Sequence, residues 1–136
     1  MPFSVLLFAS RKPGLSPAAF RDHWENKHVP LVKSITGSHF PISHTRRYIA
    51  RTEGGSSGGP ANPETPAVVL VGKQEDFDYD GIAELTFSDE SAFQTFFGIV
   101  SAPDAAAKIS EDEDQFLDKS KLKAVVIGDT TVTNKT

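Results

Sequence analysis

The 136-residue sequence contains no cysteine, which excludes disulfides, thiolate zinc sites, iron–sulfur clusters and a cysteine nucleophile. Long hydrophobic runs are also missing. None exceeds the five residues of Ala67–Val71, so no transmembrane helix and no membrane partner are expected. The N-terminus does not read as a secretory signal, because Arg11 and Lys12 follow the apolar stretch Phe3–Ala9 instead of preceding it. The segment Gly54–Gly59 has no Lys-Ser/Thr after it and so is no phosphate loop, and there is no Gly-x-Ser-x-Gly elbow. No repeat at a fixed period is visible. The expectation is one cytoplasmic domain over residues 1–136, with a flexible loop at 53–66 and a polar tail at 129–136. A chain near 150 residues can bury roughly 70% of its unfolded surface, so a real core is affordable.

Charge is present but unevenly spread. The net charge of −4 divides into eight basic and two acidic residues over 1–52, and six basic and sixteen acidic residues over 53–136. The basic excess includes Arg46, Arg47 and Arg51, with only Tyr48 interleaved, and the isoelectric point is about 5.5. That is no nucleic-acid footprint.

Phe3–Ala9 is short, almost continuously apolar and rich in strand formers, which predicts a buried strand. Ser16-Pro17 predicts a helix start, with Ser as cap and Pro at the first helical position. Phe20, Trp24, His28, Leu31 and Ile35 then follow at spacings of 4, 4, 3 and 4, one face of a helix ending at Gly37. Pro30 removes an amide donor and clashes with the Asn26 carbonyl, so a kink or restart is expected at His28–Pro30. A second strand is expected over Ile42–Thr52 and a third over Tyr79–Phe87. Between them, Ala67–Val71 reads as a short strand or a buried helical turn. Ser88 is the expected cap of a second helix with a Phe93, Phe96, Phe97 and Val100 stripe. Pro103–Ile109 adds a turn of helix, Glu111–Asp114 a solvated helix end or loop, and Leu122–Gly128 the last strand. The order β-α-β-β-α-β predicts an α+β, ferredoxin-like protomer: an antiparallel sheet with both helices on one face. The other face needs cover, and a second copy supplies it most simply, so a homodimer is expected.

His28 falls on the inward face of the first helix, beside the break at Pro30. It is either a hydrogen-bonded core group or an acid–base group lining a cavity. His44, Arg46 and Tyr48 share one face of the second strand, Arg47 the other, and the sequence leaves open which face looks inward. An arginine there can seat a carboxylate with two parallel hydrogen bonds. Asp80 stands at the mouth of the third strand and can pair with an arginine or orient His28. Glu25-x-x-His28 is half of a di-iron carboxylate pattern, but no second half exists and no metal or cofactor is expected.

These residues carry a family resemblance. Phe20-x-x-x-Trp24-x-x-x-His28-x-Pro30-Leu31, after a strand and Arg11-Lys-Pro-Gly-Leu-Ser, resembles the signature of EthD-domain proteins. Tyr79-Asp80-Gly81-Ile82-Ala83-Glu84-Leu85 resembles that family's second motif, and Phe40-Pro-Ile-Ser-His-Thr-Arg-Arg-Tyr48 the version in fungal polyketide clusters. The resemblance spans residues 3–128. It implies a dimeric α+β barrel of ferredoxin-like protomers and a small cofactor-free enzyme. It further implies a decarboxylase or dehydratase acting on an aromatic polyketide acid. The family's His and Asp positions fall on His28 and Asp80. His44 and Tyr48 complete the expected catalytic set. Arg46, Arg47, Trp24, Phe20, Phe93 and Phe97 form the expected substrate contacts. A cyclase, a cofactor-free monooxygenase or a non-catalytic carrier of a hydrophobic aromatic compound are the alternatives on the same scaffold.

Overall fold

The computed structural model describes residues 2–52 and 65–136. Strand β1 is Phe3–Ala9 and helix α1 is Pro17–His23. Ser16 Oγ accepts the Ala19 amide at 3.1 Å, and Pro17 opens the helix where an amide would lack a partner. Trp24–His28 is a π-helical turn, and helix α2 restarts at Val29–Thr36 with Pro30 in its first turn. The expected break therefore takes the form of a π-bulge: the Val29 amide bonds to the Trp24 carbonyl, five residues back. The wider turn absorbs the proline without ending the helix. Gly37 closes it with φ +55°.

Strand β2 is Ser43–Tyr48, β3 is Gly81–Phe87, helix α3 is Glu90–Ser101, helix α4 is Pro103–Glu113 and β4 is Lys123–Val126. The sheet order is β2-β3-β1-β4, with each neighbouring pair antiparallel. This is the ferredoxin-like α+β architecture. Several boundaries differ from expectation. Asp89, not Ser88, caps α3, its carboxylate accepting the Ala92 amide at 2.8 Å. α4 runs eleven residues instead of one turn. Ala67–Val71 is neither strand nor helix. Ala67 makes an isolated bridge to Arg51, and Leu70 and Val71 stay 93% and 85% exposed. Of the expected loop at 53–66, residues 53–64 lie outside the described residues.

The register fixes which side chains meet the helices. Val5, Leu7, Ala9, Gly81, Ala83, Leu85, His44, Arg46 and Tyr48 share one face. Leu6, Phe8, Ile82, Glu84, Thr45 and Arg47 share the other. Small residues at Ala9, Gly81 and Ala83 leave room above the sheet for the large rings of Phe20, Trp24 and Phe116, which form the core with Leu117. A Cβ at Gly81 would stand 2.6 Å from Trp24 Cζ3, so this ring needs the glycine beneath it. After α4, Phe116–Asp118 runs beside Ser10–Lys12. The Lys12 amide bonds to the Phe116 carbonyl at 2.9 Å and the Asp118 amide to the Ser10 carbonyl at 2.9 Å. This tie holds the end of α4 against α1 and the π turn.

Candidate active site

Two groups of polar side chains meet where the π turn approaches β2 and α4. The first centres on Asp112 of α4. His28 Nδ1 lies 2.8 Å from its Oδ2, and His23 Nε2 lies 2.9 Å from its Oδ1. Phe116, fully buried, stacks on His23 and packs at a tilt against His28, with ring centroids 4.5 Å and 5.0 Å away. Burial lowers the His28 pKa below the ordinary histidine value, partly offset by Asp112, so the ring is neutral at pH 7. A neutral ring facing a carboxylate places its proton on Nδ1 and leaves Nε2 as the basic nitrogen.

The second group centres on Glu25, within the π turn. Arg46 donates to it twice, Nε to Oε2 at 2.7 Å and Nη2 to Oε1 at 3.0 Å. Tyr48 donates to Oε2 at 2.5 Å. The third arginine nitrogen, Nη1, lies 2.8 Å from His44 Nδ1 and 3.0 Å from the His44 carbonyl. Arginine only donates, so His44 Nδ1 accepts and its proton is on Nε2. Burial first, then Arg46, lowers the His44 pKa to about 4, with a smaller repulsion from His28. His44 stacks against Phe40 and meets the edge of Trp24. Glu25 is held below the usual carboxylate range, chiefly by its bonds from Arg46. Burial and Glu25 together push the Tyr48 hydroxyl up.

The two neutral histidines thus carry opposite tautomers. His28 offers a lone pair and His44 offers an N–H. One can accept a proton from carbon while the other donates to a developing oxyanion.

His28, His44, Arg46, Tyr48, Trp24 and Phe20 are brought to one side of the sheet. Phe20 and Trp24 pack edge-on against Tyr48. Arg47 is not with them. It is exposed on the opposite face, because strand alternation turns it away from Arg46 and Tyr48. Asp80 does not orient His28. It is 6% exposed and held by Arg51 Nη2 at 2.8 Å and Arg11 Nε at 3.2 Å, and it accepts the Arg11 amide at 2.7 Å. It lies just before β3, and the carboxylate that meets His28 is that of Asp112. Phe93 and Phe97 stack on each other, and Phe93 also packs on Phe3 and Phe87. Their rings make no contact with the histidines, and Phe97 is 54% exposed.

Glu25, His23 and Asp112 were not among the expected site residues. Asp112 had a signal: Ala105, Ile109, Asp112 and Phe116 stand at helical spacing, so one carboxylate of the acidic run shares the apolar face. A cavity of about 290 Å³ opens beside Tyr48, lined by Phe20, Arg21, Ile49, Arg51 and Asp80 among others. Another of about 330 Å³ reaches His23 and Asp112 from outside, between Lys27, Leu31 and Lys108. Among the described residues, no group of three or more His, Asp or Glu is placed to hold a metal ion. Nor is any helix there long and apolar enough to cross a membrane.

A family described as EthD domain matches residues 12–120. No curated protein matches the sequence. Among solved structures, an ethyl tert-butyl ether D (EthD) family protein from Bacillus halodurans is similar at a TM-score of 0.55 and 16% identity, covering 96% of this chain and 100% of that one. An Arabidopsis thaliana protein is similar at a TM-score of 0.56 and 15% identity, covering 97% and 99%. An EthD-like protein from Ralstonia eutropha is similar at 0.54 and 14%, covering 98% and 96%. At these identities the likeness is one of fold.

Proposed function

The chain belongs to the EthD domain family, and from that premise we propose that it is a cofactor-free lyase acting on an aromatic polyketide carboxylic acid, with dehydration as its chemistry. The observation that carries this reading is that His28 Nδ1 meets the Asp112 carboxylate while His44 Nδ1 meets the Arg46 guanidinium, which favours opposite tautomers in the two rings. His28 Nε2 takes the proton from the carbon beside a ketone. The electron pair of that C–H bond moves toward the ketone oxygen, which accepts a hydrogen bond from His44 Nε2–H. The pair then returns from the enolate oxygen to form the carbon–carbon double bond, and the β-hydroxyl leaves as water, taking the proton that His28 holds. Tyr48 fixes Glu25 rather than acting as an acid, since its proton is bound more tightly than in free tyrosine.

Decarboxylation has weaker support, because it needs a proton donor at carbon, whereas the bond of His28 Nδ1 to Asp112 leaves a lone pair at Nε2. Arg46, on the inward face of β2, already donates Nε and Nη2 to Glu25 and Nη1 to His44, so a substrate carboxylate would turn to Arg21 or Arg51 beside the Tyr48 cavity. Phe20, Trp24 and Tyr48 offer the apolar wall that a planar substrate needs.

The same reading includes a homodimer through the open sheet face. Leu6, Phe8 and Ile82 lie there beside Arg47 and Glu84, with the helices on the far side.

The test is incubation with an aromatic polyketide acid bearing a β-hydroxy ketone, followed by mass. Loss of water by the wild type, reduced about 100-fold or more in His28→Ala, is the expected result for a lost acid–base group. Loss of carbon dioxide instead selects decarboxylation. Binding without turnover selects a carrier.

A further inference from the structure

The acidic run on α4 places one carboxylate, Asp112, between two imidazoles. Its Oδ2 faces His28 Nδ1 at 2.8 Å and its Oδ1 faces His23 Nε2 at 2.9 Å. All three side chains are mostly buried, at 12% exposure for His28, 15% for His23 and 17% for Asp112. Phe116 stacks on the His23 ring and packs at a tilt against the His28 ring, so both imidazoles rest on it from the core side. From this geometry we infer that Asp112 is the positioning residue for His28, fixing its tautomer, and that His23 holds Asp112 in place through the second carboxylate oxygen.

A free neutral imidazole populates both tautomers. A carboxylate at Nδ1, which can only accept, makes the Nδ1–H form the strongly favoured one and leaves Nε2 open. Once His28 takes a proton at Nε2 it is an imidazolium, and its Nδ1–H still points at Asp112. The negative charge then offsets the positive one inside the fold, and no group has to move. Asp112 would be free to rotate if only one oxygen were bound. His23, the last residue of α1 and immediately before the π segment, binds the other. The π-bulge is what allows this, because the extra residue turns His28 toward α4 while Glu25 reaches β2.

This inference rests on His28 as the base, and its test separates the two claims. The ring nitrogens of His28 are read by nitrogen-15 NMR in the substrate-free protein at neutral pH. The wild type is expected to show the Nδ1–H tautomer; an Nε2–H tautomer overturns the inference. Asp112→Asn is expected to mix the tautomers and to lower kcat about 100-fold with KM little changed. His23→Phe is expected to mix the tautomers in part and lower kcat several-fold, while His23→Gln, which keeps an N–H for Asp112, restores both. Wild-type tautomer and kcat in both Asp112→Asn and His23→Phe would overturn the assignment. An Nδ1–H wild type whose His28→Ala variant keeps full turnover instead removes the base, and the lyase reading fails separately.

Discussion

Gly81→Ala tests how the sheet shapes the site. Gly81 pairs with Ala9 on one side and Tyr48 on the other, under the Trp24 ring. A Cβ there would meet Trp24 Cζ3 at 2.6 Å, Phe20 Cε2 at 3.5 Å and the Arg47 carbonyl at 3.5 Å. The first distance is far inside van der Waals contact, and Trp24 is 2% exposed with Phe20 and Phe116 packed around it. The ring must move or the strand must bend. Overpacking of this kind costs about 1–3 kcal/mol, and at this length each kcal/mol lowers Tm by about 4 °C. Trp24 is the sole tryptophan, so its emission reports the displacement directly. The expected result is a Tm lower by about 4–12 °C with altered Trp24 emission. Gly98→Ala is the control. Nothing lies within 4 Å of its added carbon, and it stands exposed inside α3. That change is expected to stabilise by about 0.5–1 kcal/mol. If Gly81→Ala keeps wild-type Tm and emission, the close packing of Trp24 on the strand is wrong.

Glu25→Gln removes the charged acceptor of Arg46 and Tyr48 and is expected to cost about 1.5–3 kcal/mol in urea unfolding. A cost within about 0.5 kcal/mol, the range of an ordinary surface change, would show the clamp to be idle. Stability should also fall in acid. His28 and His44 are kept neutral by burial, so below the ordinary value of 6.5 the unfolded chain binds more protons than the folded one. Stability rises with pH there: the share from His44 is lost as pH falls from 6.5 toward about 4, by up to about 1.4 kcal/mol per unit, and His28 adds a loss of the same sign below 6.5. His44→Gln should flatten part of that slope, and an unchanged slope would contradict a buried neutral His44. Leu6→Asp on the open sheet face is expected to turn a dimer into a monomer in light scattering; a wild type that is monomeric at micromolar concentration refutes the dimer outright.

Much of the architecture was legible in the sequence, because single residues impose it locally. Ser16-Pro17 starts α1, Pro30 breaks its regular hydrogen bonding, and alternation puts His44, Arg46 and Tyr48 together. What periodicity could not supply was which face of β2 looks inward. That depends on pairing with β3, whose Ala83 and Gly81 lie opposite Arg46 and Tyr48 and open the space for helix side chains. The partners of the charged groups were hidden for the same reason. Helical spacing puts Asp112 on an apolar face, but neither it nor the setting of Asp80 tells which group each carboxylate meets. Only the packing of α4 on α1, and the arrival of Arg11 and Arg51 at β3, decides that Asp112 reaches His28 and Asp80 does not. Arg46 was expected at a substrate, but Glu25 of the π turn occupies it.

The most direct test of His28 as a base uses a ketone analogue of the substrate that lacks the β-hydroxyl, so that elimination cannot follow. In deuterated water, the wild type should exchange the hydrogen beside the ketone, and His28→Ala should lose that exchange by about 100-fold or more. Equal exchange by the two proteins would contradict the account.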